Sequence, residues 1–251
     1  MNRRDLLALF LSAPISLPSQ AAQAPSGKPG KELVQRMQEA LGGSEKLAAI
    51  RDVDWTVVAR TWNRSGTPGP DVERRTRWIR PNVFRKDQRA GNIVIQYFFD
   101  GEGGWELVPE AGLIELEGRE LEFVSGEAND TYPRKWLPDR DPSLRVTSGG
   151  PDVIRVLKGG GRSGSDIVVD LETSLPLRIV GTTLSGEVGT TYRRLPQRLE
   201  FVQWRTVAGI KWPQRLVNFH DDVKMAEITT TQIGIDVGLD LDDLARRPQA
   251  E

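Results

Sequence analysis

Cysteine is missing from all 251 residues, so neither a disulfide framework nor a lipid-modified cysteine is available. Histidine occurs once, at His220, which leaves imidazole chemistry one candidate and a metal site no second imidazole. Charge of one sign is not in excess: 34 basic against 35 acidic residues give a formal net charge of −1. A nucleic-acid binder needs a basic face that displaces counterions, so that class is not expected. Long apolar runs are also lacking. The stretch Leu6–Leu17 falls short of the roughly 20 residues of a membrane-spanning helix, and no transmembrane span is expected.

What the N-terminus does contain reads as an address. Arg3 and Arg4 precede the apolar stretch, and small residues follow at cleavage spacing, as in a secretory signal. Ser19-Gln20-Ala21 predicts cleavage after residue 21. Ala22-Gln23-Ala24 also fits but would leave Pro25 first, a poor substrate. Asn2-Arg3-Arg4-Asp5-Leu6-Leu7 resembles a twin-arginine signal, with an ordinary Sec signal as the alternative. The expected location is therefore the periplasm or another exported compartment.

Residues 25–30 form a Gly/Pro/Ser linker by composition, and a helix is expected from about Lys31 to Leu41. There Leu33, Val34, Met37 and Leu41 fall at helical spacing. Gly42-Gly43 ends it, and Ser44 reads as the N-cap of a short second helix. After Arg51 the apolar period drops to 2. Val53, Trp55, Val57 and Ala59 alternate with polar neighbours, and short strands then succeed one another to Ile235. Their connections are short and rich in Gly, Pro or paired acids, which favours antiparallel neighbours over crossover helices. The segment Glu117–Arg140 breaks the rhythm: Pro133 and Pro138 predict one short helical turn plus a crossing segment that caps the sheet. Asp236, Asp240, Asp242 and Asp243 predict a solvated acidic tail over residues 237–251. The outcome is a mainly β (α+β) chain with one domain over residues 31–236. Its sheet is strongly curved, closed or half closed, with the N-terminal helix against its concave side or mouth.

Chemistry-bearing motifs are scarce. His220 stands in Phe219-His220-Asp221-Asp222 at a strand end, and no Gly-x-Ser-x-Gly elbow supplies a nucleophile for it. The glycine-rich run from Lys158 to Gly164 precedes a strand, not the helix that a phosphate loop must open. No cofactor, metal or catalytic residue is expected, and the chain is read as a non-enzyme. The aromatics are the conspicuous group. Trp55, Trp78, Trp105, Trp204, Trp212, Tyr97 and Phe99 lie on or beside strands at alternating positions. With Val57 they either fill a closed core or line an apolar ligand cavity. Arg75 and Arg77, in a basic cluster, are either an exposed strand face or rim contacts for an anionic head group.

Four strings carry a family resemblance. They are Ala40-Leu41-Gly42-Gly43-Ser44-Glu45-Lys46-Leu47, Phe99-Asp100-Gly101-Glu102-Gly103-Gly104-Trp105-Glu106-Leu107, Val169-Asp170-Leu171-Glu172-Thr173-Ser174-Leu175-Pro176-Leu177-Arg178 and Val207-Ala208-Gly209-Ile210-Lys211-Trp212-Pro213. In this order, over roughly Glu32 to Ile235, the chain resembles the LolA/LolB-like group, related to outer-membrane lipoprotein-sorting proteins. The resemblance implies an incomplete antiparallel β-barrel whose concave apolar face is covered by helices. It also implies a carrier that shelters acyl chains of a lipoprotein or lipid, or a sensor of envelope stress on the same fold. Partners would be a lipidated protein or lipid and membrane-associated proteins of the envelope. An interaction module with a filled core stands as the alternative, and a hydrolase using His220 as a minor one.

Overall fold

The computed structural model describes residues 28–109, 111–159, 163–185 and 193–248. The expected signal, residues 1–21, lies outside them. So do residues 160–162 of the glycine-rich run.

Alternation of burial builds the sheet. In β1 (Asp52–Thr61) Val53, Trp55, Val57 and Ala59 are buried while Arg60 is exposed, the period-2 pattern of a strand with one covered face. From there the chain meanders outward through β2 (Val72–Ile79), β3 (Val83–Ala90), β4 (Ile93–Phe99), β5 (Gly104–Val108) and β6 (Gly112–Glu115). A segment carrying α3 (Gly118–Asn129) and α4 (Tyr132–Lys135) then crosses to the opposite edge. The second meander returns through β7 (Leu144–Gly150), β8 (Val153–Lys158), β9 (Ser163–Val169), β10 (Pro176–Ser185), β11 (Arg193–Val207) and β12 (Ile210–His220). It ends at β13 (Val223–Ile235), which pairs with β1. The result is a 13-stranded sheet in the order β6-β5-β4-β3-β2-β1-β13-β12-β11-β10-β9-β8-β7, antiparallel throughout and not closed into a barrel.

The topology dictates the cover. Because β6 and β7 are the two edges, the connection between them must pass over a face of the sheet. It takes the inner one, where α3 and α4 pack. This segment is more helical than its prolines suggest: α3 runs 12 residues before Pro133, which sits harmlessly in the first turn of α4. Helix α1 (Lys28–Leu41) covers the other half of the inner face, burying Leu33, Val34, Met37 and Leu41 against β7, β8 and β12. It starts inside the expected linker. At Gly30 a Cβ would lie 2.6 Å from the Thr147 carbonyl carbon, so glycine lets the helix close over the β7 edge.

Several local expectations are corrected by geometry. Gly43, not Ser44, is the N-cap of α2 (Ser44–Ala49), without a side-chain bond. Pro196 does not interrupt its strand: β11 runs through it. The Pro196 carbonyl accepts from the Asp221 amide at 3.1 Å, beyond the Gln197–His220 pair that ends the β12 ladder. The missing proline N–H thus faces a turn, where no ladder bond is lost. The acidic tail is not simply solvated. It forms α5 (Leu241–Ala245), whose Leu244 is 1 % exposed against Phe98 and Trp105 on the outer face.

Two of the four resemblance strings meet. Gly42, at φ +125°, packs against the Gly209 carbonyl, where any side chain would collide. Gly209 itself turns the β11–β12 hairpin with Ala208, both at positive φ. The other two strings are Asx turns. Asp100 accepts from the Glu102 and Gly103 amides, and Asp170 from those of Glu172 and Thr173, all at 2.8 Å.

Candidate functional site

The inner face holds a chamber of about 190 Å³ between the sheet and the α3–α4 cover. Its apolar floor comes from inward positions of five strands: Trp55 and Val57 (β1), Phe84 (β3), Leu199 (β11), Leu216 (β12) and Ile228 (β13). Strands β3 and β11 are five neighbours apart, roughly 24 Å in a flat sheet. They share one chamber only because the sheet curls. Thr131 and Tyr132, at the α3–α4 junction, form the roof.

An ion pair, buried at its lysine end, pins that roof. Lys86, on the inner face of β3, is 5 % exposed and pairs with Glu127 of α3. Its ammonium also lies 5.4 Å from the Tyr97 ring centre and 5.9 Å from those of Phe84 and Phe123. Burial pushes the Lys86 pKa down. Burial works against ionisation of Glu127 too, but Lys86 outweighs it and holds that carboxyl below its ordinary value. Next to this pair, under α3, Glu106 of β5 is 1 % exposed. Tyr97 hydrogen-bonds to it, while its Oε1 has no partner among the described residues. Burial, helped by the charge of Glu120, raises Glu106 to about 7.

Two further recesses adjoin the chamber. A cleft of about 470 Å³ runs between the crossing segment and β7–β9, with Pro138, Leu144, Val156 and Ile167 in its wall. A pocket of about 90 Å³ lies over Gly164, Ile179 and Gly181. Asp130 and Lys135 border all three.

The sequence-derived residues scatter across this arrangement. Trp55 and Val57 line the chamber. Trp78 is fully buried in the main core. Tyr97 and Phe99 are covered by Val124 and Ala128 of α3. Trp212 and Trp204 belong to an aromatic plug: Tyr132 stacks on Trp136 at 5.5 Å and meets Trp212 edge-on at 5.3 Å, and Trp136 lies 6.0 Å from Trp204. The middle of the half-barrel is therefore filled, and the chamber lies beside the plug. Trp105 points the other way. It lies on the outer face, its indole N–H donating to the Ala245 carbonyl at 3.1 Å. Arg75 and Arg77 are also outward. Arg75 makes a bidentate pair with Asp54 at 3.0 and 2.6 Å, and Arg77 pairs with Asp87, so both are engaged on the face away from the chamber.

The inward basic residue of β2 is Arg74, on the chamber wall. Strand parity carries this signal, since Trp78 and Arg74 share one face while Arg75 and Arg77 share the other. Lys86 carries the same signal, since it shares a face of β3 with Phe84, whereas Tyr132 and Lys135 have none, because the packing of the crossing segment decides where they lie. His220 stands at the end of β12 with a ring nitrogen 3.3 Å from Asn218 Nδ2, and Asp221 is engaged by Arg64 at 2.8 Å. Burial and the Arg64 charge lower the His220 pKa. Among the described residues no three metal-ligating side chains converge, and no helix is long and apolar enough to cross a membrane.

No protein-family model and no curated protein matches the chain. Solved structures do. A DUF1329 family protein from Desulfovibrio piger superposes with a TM-score of 0.57 at 14 % identity, covering 87 % of this chain and 96 % of that one. A LolA superfamily protein from Nitrosomonas europaea gives 0.55 at 10 % identity, covering 87 % and 97 %. A putative outer membrane lipoprotein-sorting protein domain from Vibrio parahaemolyticus gives 0.53 at 10 % identity, again over 87 % and 97 %. An open antiparallel sheet, helices over its inner face and these superpositions lead to one conclusion: the chain has a LolA-like fold.

Proposed function

We propose that this chain is a non-enzymatic binding protein of the bacterial envelope, exported to the periplasm, that shelters an apolar chain of a lipid or lipidated protein. The observation that carries this reading is the chamber itself, a space floored by apolar side chains and roofed by a segment that crosses the sheet. No catalytic group is needed for such a task. Each methylene taken from water contributes about 0.8 kcal/mol, so six of them favour capture by roughly 5 kcal/mol before ordering costs. A chamber of about 190 Å³ holds only a short segment of chain. A longer one must continue into the adjoining cleft or lift the α3–α4 cover, whose release then sets the off-rate.

The test is to purify the protein from a membrane-containing host, extract it for lipids, and titrate the stripped protein with an apolar fluorescent probe. Near-stoichiometric acyl species and saturable probe binding support the reading. A clean extract with no probe binding would favour the second reading, an envelope interaction module with a filled core. That alternative rests on the aromatic plug of Tyr132, Trp136, Phe201, Trp204 and Trp212, which closes the centre of the half-barrel.

A further inference from the structure

Positive charge is in surplus where the three recesses meet, in a chain whose net charge is −1. Arg74, Lys86, Arg134, Lys135, Lys158 and Arg194 line them, against the carboxylates of Glu127, Asp130 and Asp141. Three of these cations are matched one to one: Lys86 with Glu127, Arg134 with Asp141 at 3.1 Å, and Arg194 with Glu122. Among the described residues the other three are not. Lys135 and Lys158 share the single carboxylate of Asp130 at 3.6 and 3.9 Å, both longer than a hydrogen bond. The Arg74 guanidinium donates to the neutral Gln88 at 3.1 Å and is felt only through space at Glu127, already taken by Lys86.

This arrangement is specific in its placement. Lys135 is only 18 % exposed and borders each of the three recesses. Two ammonium groups around one carboxylate repel each other unless a second anion joins them, and Lys158 and Asp130, 55 % and 54 % exposed, stand where an incoming anion can reach them. From this junction the chamber leads inward along Arg74 to Trp55, Val57, Leu199 and Leu216. An ammonium pair at the mouth and hydrocarbon walls behind it match an amphiphile with an acidic end.

We infer that the ligand is an anionic amphiphile, whose carboxylate or phosphate group is bound by Lys135 and Lys158 beside Asp130 while its hydrocarbon part lies in the chamber. This inference rests on the carrier reading and narrows its ligand class. Arg75 and Arg77, on the far side of the sheet, take no part.

Dodecanoic acid, dodecyl phosphate and dodecanol share one chain length and separate the tail from the head. Their affinities are measured by displacement of an apolar fluorescent probe at pH 7.5 and low salt. The two acids are expected to bind at least tenfold more tightly than the alcohol. The double variant Lys135→Gln/Lys158→Gln is expected to lose that preference, acids and alcohol then binding within twofold of one another, with an unaltered melting curve. Equal affinity of the wild-type protein for acid and alcohol would overturn the anion site while leaving the carrier reading intact. Failure of all three to bind would defeat the carrier reading and this inference with it. A preference that survives in the double variant would move the head group away from these lysines. Inorganic phosphate, titrated alone, should bind at least a hundredfold more weakly than dodecyl phosphate. Equal binding would show a site for a free anion rather than for an amphiphile.

Discussion

Replacing Glu106 by glutamine should stabilise the protein above pH 7 and remove a pH dependence that the wild-type chain must show. Glu106 is buried at 1 % exposure on the inner face of β5, below α3, with one oxygen unpartnered among the described residues. Tyr97 and Lys86 favour its ionised form, yet burial and Glu120 prevail and raise its pKa from 4.5 to about 7. Between these values the native protein keeps a proton that the unfolded chain releases, so stability falls as pH rises and levels off above about 7. At 1.36 kcal/mol per pH unit the loss is about 3 kcal/mol. Glutamine fills the same space and never ionises, so the variant should match wild type near pH 4.5 and exceed it by about 3 kcal/mol at pH 8. Urea denaturation at half-unit intervals from pH 4.5 to 8.5, on both proteins, gives the difference curve, in which groups such as His220 cancel. A flat difference across that range would refute the reasoning, and so would a variant that is weaker at pH 8.

Other substitutions probe the remaining links. Trp136→Ala removes the centre of the aromatic plug, a side chain 1 % exposed, and should cost about 3–5 kcal/mol in chemical denaturation. A loss below about 1 kcal/mol would mean that α4 is not held by packing. Leu244→Ala should cost about 2–5 kcal/mol, since Leu244 anchors α5 on Phe98 and Trp105; a neutral effect would return the C-terminal segment to the solvent. Arg75→Gln should leave probe affinity within twofold of wild type whereas Arg74→Gln weakens binding of dodecanoic acid, a contrast read in the same displacement assay. Gly42→Ala forces a side chain onto the Gly209 carbonyl at φ +125° and should destabilise by about 1–3 kcal/mol, visible as a lowered melting temperature.

Much of the fold is local and was open to reading. The helical stripe Leu33, Val34, Met37 and Leu41 names the buried face of α1, and the alternation from Val53 to Ala59 names that of β1. Short Gly, Pro and Asx turns between successive strands leave antiparallel neighbours as the economical pairing, which the sheet order bears out. Parity also separates Arg74 from Arg75 and Arg77: Trp78 fixes the inner face of β2, which leaves Arg75 and Arg77 on the exposed strand face that the sequence offers as one of two readings. The outward placement of Trp105 follows the same rule. It lies one residue from Glu106, which opposes Tyr97 on the inner face.

The sequence by itself thus determined which residues alternate, where the strands turn and that a crossing segment interrupts them. Only the tertiary structure decided whether the aromatics fill or line the interior, because that depends on how far the sheet curls and on what lies over it. Trp55 and Trp212 meet from strands two places apart, and Tyr132 reaches Trp212 from the cover. Likewise Lys135 from α4 and Lys158 from β8 become partners through Asp130 alone. Such meetings are set by long-range closure of a curved sheet beneath a strap, and no local period encodes that distance.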